Sequence, residues 1–284
     1  MIKLEHVVLA SPEQMEFIIE GMRNPMNSWE KSDSGNGCTE RMVWGNIVKD
    51  TMLCKKCGVE YGCIGKPQYI LGPNDYSLMQ RLSNAGTEHR KYMRMMPVYV
   101  RITAGHTWWA EFDTYKIGTV RNSCSKMHKI HVMGFDRDAF DHEGIDEVGD
   151  VAVETFDQVR NTLTWLAEKF NTTKENKYRR AIIELLPLGF HLTANVELNY
   201  EVLANIYRQR KNHKLDEWRV FCKWIEALPY SELITGFPIK IDWSKAMGPA
   251  GLFGEPVIGV DLSHGGDFTS SGRGTGLWQP GDKD

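Results

Sequence analysis

The amino-acid sequence predicts an α+β fold that is mostly helical, with a few strands. Apolar residues recur at spacings of three and four over several segments, which is typical of amphipathic helices. Two short segments, KLEHVVL at 3–9 and PVYVRIT at 97–103, are typical of strands. The chain has 284 residues, of which 42% are apolar and 25% charged, so it can bury a sizeable core.

The strand at 3–9 is followed by a helix that begins at Ser11. Serine is a favoured N-cap residue, and Pro12 suits the first helical position because its fixed φ angle is already helical. Apolar residues then follow at helical spacing and are predicted to face the core. They are Met15, Ile18, Ile19 and Met22.

The segment at about 24–72 has an irregular pattern and contains four of the six cysteines, so we predict an insertion. Cys54 and Cys57 have the spacing of half a zinc knuckle. Cys38 and Cys63 could complete a four-cysteine zinc site, although they do not form the second close pair that a strong prediction requires. A loop with incidental thiols is the alternative.

A regular pattern returns at Gly72, where a turn and cap predict a helix that continues through Leu82. The strand at 97–103 comes next. It is followed by TWWAEFDTYKIG, which predicts a short aromatic helix over 107–118 that ends at Gly118.

Four more amphipathic helices are predicted in the second half of the chain. They cover roughly 155–170, 176–186, 197–211 and 215–228.

The last residues, 247–284, carry many glycines and no sustained periodicity, so we predict a loosely ordered C-terminal tail. The predicted organisation is therefore a single α+β domain over 1–246, with the cysteine-containing insertion inside it, followed by this tail.

Charge and hydropathy exclude several functions. The formal net charge is −3, so the chain does not have the excess of Lys and Arg that is typical of a general nucleic-acid-binding protein. No stretch approaches the ~20 apolar residues that span a bilayer, and the first residues show no signal-peptide pattern. We therefore expect a cytoplasmic protein without a membrane segment, whose cysteines are thiols or metal ligands rather than disulfides.

The aromatic helix allows two interpretations. One of its faces carries Trp108, Phe112 and Tyr115, while Trp109, Asp113 and Lys116 share another. The aromatic residues could form a core stripe, with Asp113 and Lys116 as a surface ion pair. They could instead form a wall against which a planar ring stacks.

Two further segments contain candidate ligand-binding residues. The stretch NSCSKMHK at 122–129 is dense in hydroxyl and ammonium donors, which suit phosphate oxygens, although a solvated loop is the alternative. The helix at 197–211 carries Asn199, Asn205 and Arg210. An arginine here could form a bidentate contact with a phosphate or a uracil-like edge, or could simply be favoured by the helix dipole.

In their order and spacing over 70–230, these segments resemble the flavin-dependent thymidylate synthases. That family has a Gly-His-Glu-like turn, a strand, a helix bearing Arg-His-Arg-x-x-Ser, and a loop reading Asn-Glu-x-Ser-x-Arg-Tyr. A later helix has Asn-x-Arg, then Asn four residues on, then Arg five further.

The match to these motifs is uneven. Arg-His-Arg-x-x-Ser falls on 114–119, where Lys116 keeps a positive charge and Thr119 a hydroxyl. The loop motif keeps Asn122 and Ser125.

The later helix matches better. It keeps Asn199, Asn205 and Arg210, while Glu201 stands in place of an arginine.

The resemblance implies an FAD-dependent enzyme that transfers a one-carbon unit from methylenetetrahydrofolate to dUMP or a related deoxyuridine nucleotide, with NADPH as reductant. It also implies a homotetramer with FAD at the junction of subunits. The implied cofactor contacts are Lys116, Thr119, Asn122, Asn199 and Asn205. The implied substrate contacts are Ser125, Lys126, Lys129 and Arg210. The alternative is a non-catalytic protein of the same fold that binds a nucleotide or a partner and is stabilised by zinc.

Overall fold

The structure is a computed structural model that describes residues 1–38 and 67–236. Within these two ranges the strands are β1 (Lys3–Leu9), β2 (Gly35–Cys38), β3 (Pro67–Ile70), β4 (Pro97–Gly105), β5 (Val120–Ser123) and β6 (His191–Asn199). The α-helices are α1 (Pro12–Arg23), α2 (Pro73–Asn84), α3 (His106–Phe112), α4 (Lys126–Lys129), α5 (Glu143–Glu147), α6 (Asp150–Thr173), α7 (Asn176–Leu185), α8 (Tyr200–Arg210), α9 (Asp216–Glu226) and α10 (Glu232–Thr235).

Four of these strands form an antiparallel sheet in the order β1-β4-β6-β5. β4 and β6 pair along their whole length, from Pro97 opposite Asn199 to Gly105 opposite His191. Alternate side chains of these two strands are buried in the core, as the period of two in a strand requires. The predicted α+β fold, with several helices and a small antiparallel sheet, is confirmed.

The predicted strand at 3–9 and the predicted helix after Ser11 are present as β1 and α1. Ser11 caps α1 through a reciprocal pair of hydrogen bonds. Its hydroxyl oxygen accepts from the backbone N–H of Gln14 at 3.2 Å, and the Gln14 side chain accepts from the Ser11 N–H at 2.8 Å. The apolar residues predicted to face the core are buried: Met15, Ile18, Ile19 and Met22.

Five other predicted elements are confirmed. The strand at 97–103 is β4, and the helix that begins after Gly72 is α2. The remaining predicted helices in this group correspond to α6, α7 and α9. α6 is longer than predicted: it begins at Asp150, and at its other end the polar residues 171–173 continue the helix beyond the apolar stripe.

The aromatic helix is shorter than the predicted 107–118. α3 ends at Phe112, and the chain then turns at Gly118, which has a φ angle of 77°. The residues after this turn were predicted to form a loop, but they form the edge strand β5 and the one-turn helix α4. β5 has only four residues, so it shows no periodicity, and its pairing with β6 is a long-range contact.

The prediction of a helix over 197–211 is wrong at its start, because α8 begins at Tyr200 and the preceding residues form β6. This central strand was missed, although its apolar residues alternate. Asn199 ends β6 and is also the N-cap of α8. The alternating pattern of the strand therefore passes directly into the helical pattern of α8, with no loop between them. The alternating buried residues are Leu192, Ala194, Val196 and Leu198.

A buried ion pair holds the two ends of the predicted insertion together. Arg23 Nε donates to Asp75 Oδ1 at 2.5 Å, and the two side chains are 4% and 0% exposed. The second oxygen, Asp75 Oδ2, accepts from the hydroxyls of Ser32 and Ser34 at 2.8 and 2.6 Å. Because a buried charge pair is tolerated only when its remaining polar atoms are hydrogen-bonded, this network fixes the chain after α1 against the start of α2.

Some of the sequence predictions concern residues outside the described ranges. Cys54, Cys57 and Cys63 belong to this group, as does the tail at 247–284, and Cys38 is the last residue of β2. In the two described ranges, no group of three or more His, Cys, Asp or Glu residues could hold a metal ion. No helix in those ranges is both long and apolar enough to cross a membrane.

Candidate functional site

The candidate site is built around α8, whose first turn is anchored to the turn before β5. Asn199 caps the helix, because its Oδ1 accepts from the backbone N–H of Val202 at 3.0 Å. Its Nδ2 donates to the carbonyl of Gly118 at 3.4 Å. A Cβ atom at Gly118 would lie 2.9 Å from that nitrogen, so the close approach requires glycine. Asn199 therefore positions the turn that precedes Thr119.

The other end of α8 carries Arg210, which is held by two side chains of the α3 region. Arg210 Nε donates to the hydroxyl oxygen of Tyr115 at 2.8 Å, and Nη1 donates to Glu111 Oε2 at 2.6 Å. The guanidinium carbon also lies 4.8 Å from the centre of the Trp218 ring, a cation–π contact. Neither Glu111 nor Tyr115 was identified from the sequence as a partner of Arg210.

Glu111 receives two further polar contacts on the same oxygen. Trp218 Nε1 donates to Oε2 at 2.7 Å, and His213 Nε2 lies 3.4 Å from it. We name the group of Glu111, Tyr115, Arg210, His213 and Trp218 the Arg210 cluster. The Arg210 and Glu111 side chains are 18% and 31% exposed, so the cluster is accessible at its edge.

Asn205 is connected to the Arg210 cluster through Gln209. The Tyr115 hydroxyl donates to Gln209 Oε1 at 2.9 Å, and Gln209 Nε2 donates to Asn205 Oδ1 at 3.1 Å. A continuous hydrogen-bond chain therefore joins Asn205 to Arg210. The structure brings these two candidates together, and Gln209 is a connecting residue that sequence reasoning missed. Gln209 could have been found from the sequence, because it lies four residues after Asn205 and side chains at that spacing are neighbours on a helix.

The remaining candidates lie along the chain after α3. Lys116, Asn122, Ser125 and Lys129 are exposed. Thr119 is instead engaged inside the turn, because its hydroxyl donates to the carbonyl of Tyr115, at 2.6 Å.

Lys126, which is the first residue of α4, belongs to the same stretch. The exposed candidates are thus polar or basic groups on one continuous segment, separate from the hydrogen-bond chain of the Arg210 cluster.

The aromatic side chains of α3 belong to the core. Trp108, Trp109 and Phe112 are 1%, 1% and 2% exposed, which supports the core-stripe interpretation and not a wall for a planar ring. The predicted Asp113–Lys116 pair is wrong. Asp113 accepts two hydrogen bonds from Arg121 Nη1, at 2.7 and 2.8 Å, because β5 brings that guanidinium alongside the end of α3.

Glu201, at a position where the family motif has an arginine, forms an ion pair. Its Oε2 lies 2.7 Å from Arg90 Nε, and the side chains are 15% and 11% exposed. Arg90 was not identified from the sequence, because it precedes β4 and meets α8 only through the tertiary fold. The pair is neutral overall, so it adds no net positive charge beside α8.

The architecture is that of the flavin-dependent thymidylate synthases, at the level of the fold. Two solved structures of one such protein resemble this chain. The flavin-dependent thymidylate synthase ThyX from Helicobacter pylori, complexed with FAD and dUMP, has 14% sequence identity and a TM-score of 0.50, with 82% of this chain and 95% of that chain covered. A second structure of Helicobacter pylori ThyX with FAD and dUMP has 14% identity and a TM-score of 0.49, with coverages of 82% and 94%. No protein-family model and no curated protein sequence matches the chain.

Proposed function

We propose that this chain is an FAD-dependent thymidylate synthase-like enzyme. It would transfer a one-carbon unit from methylenetetrahydrofolate to dUMP or a related deoxyuridine nucleotide, with NADPH as reductant. The observation that supports this most directly is the hydrogen-bond chain from Asn205 to Arg210 on α8. It lies in a fold shared with a synthase whose structure contains FAD and dUMP.

Arg210 has the properties needed to hold a nucleotide. Its Nε and Nη1 are engaged, while Nη2 donates to no residue in the part of the chain that the structure describes. Because Tyr115 and Trp218 fix the plane of the guanidinium, the remaining N–H groups are oriented in advance. An oriented fork of this kind suits the oxygens of a pyrimidine base or a phosphate.

The exposed segment after α3 fits the phosphates of a dinucleotide cofactor. Lys116, Asn122, Ser125 and Lys129 present two ammonium groups, an amide and a hydroxyl to the surface. When bound, FAD would supply the reduced flavin that carries the one-carbon unit. The residues of this chain would bind the phosphates and orient the cofactor.

The flavin ring requires a different surface. Trp108, Trp109 and Phe112 are packed inside the protein, so α3 offers no exposed ring for stacking. We propose that the ring is held at the junction of subunits in a homotetramer, where a second copy completes the site. Thr119 and Asn199 would contribute by fixing the turn before β5 and not by direct contact.

The proposed cofactor site has less fixed positive charge than the family motif. Each charged hydrogen bond contributes about 1.5–3 kcal/mol, and lysine lacks the planar fork of arginine. We therefore propose that FAD binds more weakly here than in proteins with the full motif, and that purified protein is only partly loaded.

The test is conversion of dUMP. The full-length protein is supplied with FAD, NADPH and methylenetetrahydrofolate, and the nucleotides are separated by chromatography. Formation of dTMP that requires all four components is the expected result. If dUMP binds but no methylated nucleotide forms at any FAD concentration, the chain is the alternative, a non-catalytic nucleotide-binding protein. The neutral Arg90–Glu201 pair at a motif position favours that alternative.

A zinc site formed by Cys54 and Cys57, with Cys38 and Cys63, is proposed on the sequence alone. Metal analysis of the purified protein tests it. One zinc ion per chain is expected, and a Cys54→Ser/Cys57→Ser variant is expected to lose it. A metal-free protein that is stable to chelators would contradict the site.

A further inference from the structure

Glu111 contacts one nitrogen, Nη1, of the guanidinium that the proposed function assigns to the nucleotide. Its Oε2 accepts from Arg210 Nη1 at 2.6 Å, which places a negative charge where a ligand oxygen would otherwise be received. We propose that Glu111 is an internal competitor for Arg210, because its carboxylate holds one edge of the guanidinium and thereby weakens nucleotide binding at the remaining N–H groups. This inference rests on the proposed function, because it concerns how the same arginine is made available.

The partners of Arg210 can release it without being left unpaired. If Arg210 moved away, Glu111 Oε2 would keep the Trp218 indole N–H at 2.7 Å and the nearby His213 ring. The Tyr115 hydroxyl would keep its hydrogen bond to Gln209 at 2.9 Å. Leaving a buried polar group unpaired is the main cost of breaking such a contact. Glu111 and Tyr115 would both keep a hydrogen-bond partner, so the cluster avoids that cost.

The position of the cluster also fits exchange rather than permanent structural pairing. The buried pair of Arg23 and Asp75 is almost completely shielded from solvent, and four donors in addition to the arginine surround its carboxylate. Glu111 is 31% exposed, and its Oε1 accepts from no described residue. An approaching ligand can therefore reach the Arg210–Glu111 pair from solvent.

The consequence is a charge penalty on ligand binding. A phosphate oxygen of the nucleotide on Arg210 would lie close to the Glu111 carboxylate, and like charges a few ångström apart repel strongly at a partly buried site. Removing the charge of Glu111 while keeping its shape should therefore strengthen nucleotide binding. The variant Glu111→Gln does this, since the amide oxygen can still accept from Trp218.

The experiment compares dUMP binding by wild type, Glu111→Gln and Glu226→Gln in FAD-loaded protein, using isothermal titration calorimetry. Glu226 is the matched control, because it accepts from the Tyr207 hydroxyl on α8 and has no contact with Arg210. Glu111→Gln is expected to bind dUMP about tenfold more tightly, and Glu226→Gln as tightly as wild type. If wild type binds dUMP and Glu111→Gln binds it equally or more weakly, the competitor role is overturned while the proposed function stands.

A second measurement needs no nucleotide. Phenylglyoxal modifies accessible guanidinium groups, and peptide mass spectrometry gives the rate at Arg210. This rate is expected to rise several-fold in Glu111→Gln and to stay unchanged in Glu226→Gln. If neither wild type nor Glu111→Gln binds dUMP, the proposed function fails and this rate decides the competitor role. Faster modification then supports it, and an equal rate overturns it.

Discussion

The carboxylate of Asp75 is completely buried and is paired with the almost completely buried guanidinium of Arg23. This pair joins the last turn of α1 to the first turn of α2. Asp75 also accepts from the chain at Ser32 to Ser34, which leads into β2. The pair therefore ties the predicted insertion to the helical core at both of its ends.

Replacing Asp75 by Asn should destabilise the fold strongly. The change leaves the Arg23 charge buried without a counter-charge, which costs about 3–5 kcal/mol in comparable cases. Urea denaturation gives the free energy of unfolding. The control is Asp138→Asn, an exposed aspartate, where a change within about 0.5 kcal/mol is expected. Equal stability of the two variants would contradict the structural role of the pair.

Replacing Gly118 by Ala should also lower stability. The φ angle of 77° costs an L-residue about 1–2 kcal/mol, and the new Cβ would lie 2.9 Å from Asn199 Nδ2. Gly144→Ala is the matched control, since that glycine is in α5 and a Cβ there meets no atom within 4 Å. The melting temperature is expected to fall for Gly118→Ala and to be unchanged or higher for Gly144→Ala. The opposite order would show that the turn is not constrained as described.

The stability of the protein should depend on pH through Glu232. Burial raises the pKa of this carboxyl above its ordinary value, although the Tyr76 hydroxyl donates to it and partly offsets that effect. The folded state therefore binds this proton more tightly than the unfolded state does. Protonated Glu232 therefore stabilises the folded protein fully at a pH below the pKa that Glu232 has in the unfolded chain. This stabilisation is lost as the pH rises through the higher pKa of the folded protein.

Glu232→Gln tests this pH dependence, because glutamine does not titrate. The free energy of unfolding of the variant minus that of wild type is expected to increase as the pH rises across that window, and then to level off. Urea denaturation at a series of pH values measures the difference. A difference that is constant or decreases with pH would mean that Glu232 is not buried as a carboxyl of raised pKa.

Replacing Arg210 by Ala should weaken dUMP binding by about 10- to 100-fold, since a charged hydrogen bond contributes about 1.5–3 kcal/mol. The fold should survive, because Glu111 keeps the Trp218 N–H and Tyr115 keeps Gln209. Arg208→Ala is the control, as it removes an exposed arginine from the same helix. Calorimetric titration with dUMP measures both. An unchanged affinity in Arg210→Ala would remove Arg210 from the site.

Local sequence was sufficient for the elements with a long, regular pattern. α1 was predicted from Ser11, Pro12 and four apolar residues, and α9 from an amphipathic pattern over 215–228. β5 has only four residues and shows no periodicity, and its pairing with β6 is a contact between residues far apart in sequence. β6 was missed although its apolar residues alternate, because its last residues were assigned to the helix that follows directly.

The candidate site was predictable only in part for the same reason. Asn205 and Arg210 stood out on one helix, but their partners belong to other elements. Glu111 and Tyr115 come from the region of α3, about a hundred residues earlier, and contact Arg210 only in the tertiary fold. Nothing in the local pattern distinguishes Glu111 from an ordinary surface glutamate.

Sequential binding of FAD and dUMP to the full-length protein tests directly whether this chain is an FAD-dependent, thymidylate synthase-like enzyme. FAD is titrated first and followed by its fluorescence and absorbance, and dUMP is then added to the loaded protein. Saturable FAD binding is expected, with a further change in the flavin spectrum on addition of dUMP that Arg210→Ala weakens. If the protein changes neither the fluorescence nor the absorbance of FAD, and if FAD and dUMP together do not raise its melting temperature, the proposed function is contradicted.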